Sequence, residues 1–148
     1  MRQVPIANTF SAWRTTAREL LAAKVPPSDV TWTDDQQTPL LPMPAAQETT
    51  AATSNARVPK EFLQLAQVVA CHRDPIRWPL LYRTLWRLTR GEHNLLEIVT
   101  DDDTHALFQM EKAVRRDRHK MTAFVRFKEL QCDGDTHYVA WYEPAHYV

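Results

Sequence analysis

The sequence predicts an α+β fold that is mostly helical, with about four to five helices and a C-terminal β-hairpin packed on them. Two observations carry this. Apolar residues recur at three- and four-residue steps through most of the chain, the spacing of one helix face. After Met121 the pattern changes to alternation, and Cys132-Asp133-Gly134-Asp135 interrupts it with a strong tight-turn signal.

Residues 9–24 place Phe10, Trp13, Ala17, Leu20 and Leu21 on one face, with Thr9 or Asn8 as cap and Pro26-Pro27 as stop. Residues 31–56 lose this periodicity. Pro39, Pro42, Pro44 and the run Gln47–Asn55 mark a linker or loose loop, with Trp32 and Leu40-Leu41 as anchors for its ends. Val58-Pro59 opens a helix through Phe62, Leu65, Ala66, Val69 and Ala70, since proline is tolerated in a first turn. Asp74-Pro75 starts the next helix, which runs to Gly91 with Trp78, Leu81, Tyr82, Leu85 and Leu88 facing inward. A short helix is expected around Asn94–Thr100. Asp101-Asp102-Asp103 then supply a cap and first-turn negative charge for a helix reaching about Lys120. Alternation resumes over His137–Glu143. Residues 1–30 are thus an N-terminal helical segment, 31–57 a Pro/Thr/Gln-rich linker or loop, and 58–148 a helical body with a hairpin, one domain overall.

The chain has 148 residues and no apolar run near the ~20 that a membrane span needs. Cys71 and Cys132 are too few and too distant for a disulfide framework, and no secretory signal is visible, so a cytoplasmic location is expected. The formal net charge is zero, with 18 Lys and Arg against 18 acids, yet the distribution is uneven. Residues 57–128 hold 14 of the cations, and no Lys or Arg follows Lys128. With only two glycines, neither a phosphate-cradling loop nor a dinucleotide fingerprint can form. His72-Arg73-Asp74 has no kinase motifs around it. Cys71, His72, His93, His105, His119, Cys132, His137 and His146 show no metal-ligand spacing, so no metal and no cofactor is expected.

Two arginine-rich stripes remain. Arg83, Arg87 and Arg90 fall together on one helix; Lys112, Arg116 and His119 do so on another, beside Arg115, Arg118 and Lys120. Packed side by side, they would form a face able to meet several phosphates, because the guanidinium fork matches phosphate and carboxylate oxygens. Asp117 continues the inward stripe Leu107, Met110, Val114 toward Met121, so it must be paired or hydrogen-bonded. A structural ion pair at the helix-to-hairpin junction is the favoured role. An acid acting with His119 is the catalytic alternative.

Four phrases are similar to one uncharacterised bacterial family of "probable DNA metabolism" proteins: Phe10–Pro27, Val58–Leu63, Cys71–Leu88 and Val114–Phe127. The His119-Lys-Met-Thr-Ala-Phe-Val-Arg-Phe127 run is the most specific. Members occur beside a radical-SAM putative DNA repair protein, or fused ahead of UdgX-type uracil-DNA glycosylase domains. The resemblance implies a repair context and such partners, but no reaction, since the glycosylase motifs are absent and the family has no assigned catalytic residues. Relatives continue beyond Trp141–His146, so this chain is expected to be truncated relative to them. The readings, in order, are a DNA-contacting accessory module that is not itself an enzyme, a domain docking a repair enzyme through the hairpin, and an enzyme using Asp117 and His119.

Overall fold

The computed structural model describes residues 2–34 and 57–148. Leu40, Leu41 and the rest of residues 35–56 of the expected linker lie outside them.

Strand β1 (Arg2–Ile6) leads into helix α1 (Phe10–Ala22) and returns through a 3-10 turn to strand β2 (Val30–Asp34). The two strands pair in parallel, Val4 beside Trp32, with α1 as the crossover between them. The expected helical segment is therefore a β-α-β unit, and residues 31–34, expected in the linker, are a strand. Burial explains β1: Val4 and Ile6 point into the core while Gln3 and Pro5 face out. Pro5 is tolerated because, among the described residues, the sheet has two strands, both of them edges. Thr9 caps α1 by accepting from the Ala12 N–H at 3.3 Å.

Helix α2 (Lys60–Val69) buries Phe62, Leu65, Ala66 and Val69, and helix α3 (Arg77–Thr89) buries Trp78, Leu81, Tyr82, Leu85 and Leu88. Trp13 is their meeting point, with ring centroids 6.5 Å from both Phe62 and Trp78. Tyr82 ties α3 to the N-terminal unit. Its hydroxyl donates to the Val25 carbonyl at 2.7 Å, and its ring meets Trp32 edge-on at 5.7 Å. Burial pushes this phenol up to about 12.

Helix α4 (Asp102–Phe124) packs on α2 and α3, with Leu107 in their shared core and Met110 against it, and it buries Val114 farther along. It outlasts the expected end at Lys120. The alternating residues from Met121 onward lack a strand partner there, so intrahelical bonds such as Val125 N–H to the Met121 carbonyl, 3.0 Å, prevail over β propensity. The expected helix near Asn94 is a 3-10 turn, Leu95–Glu97. No described helix is long and apolar enough to cross a membrane.

Strands β3 (Lys128–Cys132) and β4 (Asp135–Val139) form the C-terminal antiparallel hairpin. Asp133 (φ 52°) and Gly134 (φ 88°) make the two-residue turn, a mirror-image geometry that the Asp-Gly pair favours. The hairpin departs from the expected packing on the helices: every residue of both strands is exposed. Strands this short, carrying Lys128, Glu129, Asp135 and few large apolar residues, have no continuous apolar face to bury. After Val139 the chain returns to the helices as a tail.

Candidate functional site

The two stripes of cations occupy different positions along α4. Asp101 caps this helix, its carboxylate accepting from the Asp103 and Thr104 N–H groups at 3.0 and 3.1 Å. The same carboxylate receives Arg87 of α3 at 2.8 Å. Arg87 also reaches Glu92 at 2.7 Å and Asp103 at 3.1 Å, and Arg83 grips Asp103 through Nε and Nη2. These contacts keep Arg87 protonated far above any working pH, chiefly through Glu92 and Asp101. They hold Asp101 below the usual carboxylate range, the hydrogen bond from Arg87 being the main cause. Arg83 and Arg87 therefore join α3 to α4. Arg90, at the end of α3, lies over the Trp86 ring at 4.1 Å.

Farther along α4 the cations stand apart from this joint. Lys112, the first, is nine residues past Asp103, a rise of about 14 Å. Lys112, Arg116 and Lys120 recur every fourth residue on the outer face, with Arg115 and His119 on one flank and Arg118 on the other side of the helix, and all six are exposed. Arg115 pairs with Glu111 at 2.8 Å; the other four Lys and Arg have no ion-pair partner among the described residues. The expected continuous face over both helices is thus divided, because the acid triplet captures the α3 arginines.

Asp117 is buried as its register requires, but its role differs from the expected ion pair. It accepts from the backbone N–H of His146 at 2.8 Å. Desolvation, the Asp117 charge and a hydrogen bond to Asp117 push the Tyr142 phenol above its ordinary value. Asp117 thereby fastens the C-terminal tail. His119, two residues on, is exposed on nearly the opposite side of the helix, so the two do not form an acid–base pair.

The tail closes on the α2–α3 connection. The Tyr147 N–H donates to the Cys71 carbonyl at 2.8 Å, and the Arg73 N–H donates to His146 Nδ1 at 3.3 Å. The His146 ring stacks on His72 with centroids 4.3 Å apart. His72 Nδ1 accepts from the Asp74 N–H at 3.2 Å, so both imidazoles use Nδ1 as acceptor and carry the neutral ring's proton on Nε2. Burial, then the neighbouring His146, lowers the His72 pKa; Asp74 opposes this and Arg77 adds to it. Arg73 and Arg77 approach the Tyr147 ring at 5.7 and 5.8 Å. Arg77 is buried, donating to Asn8 at 2.6 Å and to the Arg73 and Asp74 carbonyls.

This clasp gathers two imidazoles, a carboxylate and a phenol, but the interactions described fasten a tail rather than activate a nucleophile. Among the described residues, no group of three or more His, Cys, Asp or Glu is gathered for a metal ion. An open groove of about 220 Å³ beside α2 and α4 carries Glu61, Glu97 and Glu111 against Arg115 alone, the wrong sign for an anion. Sequence reasoning missed the tail clasp because Arg73 and His146 meet across 73 positions, with no local signal. It also passed over Phe124, Phe127 and Trp141, which the alternation assigned to strands; Phe124 instead ends α4, Phe127 and Trp141 lie outside β3 and β4, and all three stand in water.

A family profile described as a domain of unknown function, DUF4130, matches residues 75–148. It spans half of the chain, including all of α3 and α4 with the 114–127 run, the hairpin and the tail. No curated protein and no solved structure matches. The chain belongs to the DUF4130 family.

Proposed function

We propose that this chain is a nucleic-acid-associated accessory module of DNA repair that meets phosphates with the outer face of α4. The supporting observation is that the row Lys112, Arg116 and Lys120, and Arg118 on the other side of the helix, are exposed and without ion-pair partners among the described residues. Held cations already matched to carboxylates have little to offer a phosphate; these four retain their charge for a partner. The repair context, and a uracil-DNA glycosylase domain or radical-SAM protein as partner, come from the resemblance described above. The separation of Asp117 from His119 argues against catalysis by that pair.

The test is a DNA-binding titration of the purified chain at two salt concentrations. Affinity should fall with salt, the logarithmic slope being about −0.9 per phosphate neutralised on duplex. Arg116→Glu combined with Lys120→Glu should weaken binding at least ~10-fold and flatten that slope. Affinity indifferent to both salt and charge reversal would reject the reading.

A second reading is docking of a repair enzyme on the hairpin, favoured by the complete exposure of β3 and β4. Stable association with a glycosylase or radical-SAM partner, with no DNA binding, would select it.

A further inference from the structure

We propose that the base of the hairpin is a binding site for single-stranded nucleic acid, with bases stacked on Phe124, Phe127 and Trp141 and phosphates held by Lys120, Arg126 and Lys128. This rests on the nucleic-acid reading above and adds the strand state and the residues that select it. The three rings are 66%, 68% and 87% exposed, in a chain that buries Trp13 and Trp78 to 1%. A fold able to bury two of its five indoles so completely leaves Trp141 almost entirely in water.

The rings gather at one end of the hairpin. Phe124 closes α4, and Phe127 precedes β3 by one residue. Register pairs Lys128 with Val139, so Trp141, two residues beyond Val139, emerges at the same end as Phe127. Cations are interleaved with the rings: Lys120 lies one helical turn before Phe124, while Arg126 and Lys128 flank Phe127. All three are exposed and have no ion-pair partner among the described residues. Asp133 and Asp135 lie at the opposite end, beyond or at the close of five-residue strands that span about 16 Å, past the ~8–10 Å reach of a screened charge. Of the acids near the base, Glu129 accepts from Gln131 at 3.1 Å, and Glu143 follows Trp141 by two residues.

The chemistry of this arrangement selects among polyanions. A duplex hides its base faces against one another and offers phosphates and groove edges, for which cations suffice. Exposed rings add affinity only where base faces are open, as in a single strand. Rings and cations brought together over 120–128 are complementary to a chain that carries both bases and phosphates. An apolar protein partner would be complementary to the rings but not to the positive charge among them.

The experiment compares a fluorescein-labelled oligothymidylate of about 20 nucleotides, longer than most single-fold site sizes, with a mixed-sequence duplex of the same length. Binding to the full chain is followed by anisotropy at two salt concentrations. The single strand should bind roughly tenfold or more tightly than the duplex. Phe124→Ala, Phe127→Ala and Trp141→Ala should each weaken single-strand binding about tenfold and leave duplex binding unchanged. Trp141→Phe should retain most of the affinity, since a phenyl ring still stacks. These positions are exposed, so the variants should fold, and an unchanged urea midpoint checks that they do. Equal affinity for both probes, with aromatic variants binding like the parent while Arg116→Glu weakens both, would overturn the strand-selective site and leave the phosphate-contacting surface standing. Failure of both probes to bind would overturn both proposals and favour protein docking.

Discussion

At the start of α4, Arg83 and Arg87 reach across from α3 and are held by Asp101 and Asp103; in its second half, Lys112, Arg116 and Lys120 stand in water without an ion-pair partner among the described residues. In the sequence the two sets look alike: basic side chains recurring every third or fourth residue on one face of a helix. What separates them is whether a neighbouring element brings acids within reach. The acid triplet does so at the first turn, where its charge also suits the helix dipole and its first member caps the backbone. Arginines at that end became part of the fold. The cations of the far half were left available.

The sharpest way to break this contrast is to remove one cation from each end and measure stability. Arg87→Ala takes the guanidinium away from Asp101, whose side chain is only 16% exposed, and leaves Asp103, 11% exposed, to Arg83 alone. Breaking a fully buried pair costs about 3–5 kcal/mol; Arg87 is partly exposed, so a loss of about 2 kcal/mol is expected in urea unfolding. Arg116→Ala should change stability by less than about 0.5 kcal/mol, as for an ordinary surface position. Equal losses at the two ends would abolish the distinction.

A smaller effect tests Asp117, the one acid of the far half that does bind something. Asp117→Ala removes the acceptor for the His146 N–H and the partner of Tyr142. A cost of about 1.5 kcal/mol follows from a charge-assisted hydrogen bond. Hydrogen exchange should localise it, with amides of residues 142–148 losing protection while those of α3 keep theirs. Asp117→Asn, which retains a carbonyl acceptor, should recover part of the loss.

The two ends should also differ in pH response, the smallest effect. The folded-state pKa of His72 lies below its ordinary 6.5. Between that lowered value and 6.5 the unfolded chain binds more protons, so stability is full above 6.5 and declines as pH falls below it. Protonation would set His72 against His146 and Arg77 and remove the Nδ1 acceptor used by the Asp74 N–H. Asp101, depressed below its ordinary 3.8, contributes stability that is present above 3.8 and lost as pH falls below it. Urea midpoints from pH 7.5 down to 3 should therefore show the tail weakening first and the α3–α4 joint later. His72→Gln should remove the first step alone.

Much of the fold was legible in local pattern. The four helices, the Thr9 and Asp101 caps and the Asp133-Gly134 turn are each specified by residues within a few positions of one another. Strand β1 went unread: Val4 and Ile6 alternate with Gln3 and Pro5, but so short a strand shows itself only when its partner is known, and Val30–Asp34 lies beyond an intervening helix. The inward register of Asp117 could be read, whereas what it binds could not. His146 is 29 residues away, on a tail whose own pattern gives no hint of folding back.

The sequence by itself determined the helical content, the hairpin, the uneven charge and the need for Asp117 to find a partner, because helix periodicity, turn chemistry and the cost of a bare buried carboxylate act over short range. Only the tertiary structure decided which cations are bound by acids and which stand in solvent. An arginine's fate depends on the acids that packing brings within about 4 Å of it, and packing here brings Asp101 and Asp103 to α3 while leaving the outer face of α4 in solvent.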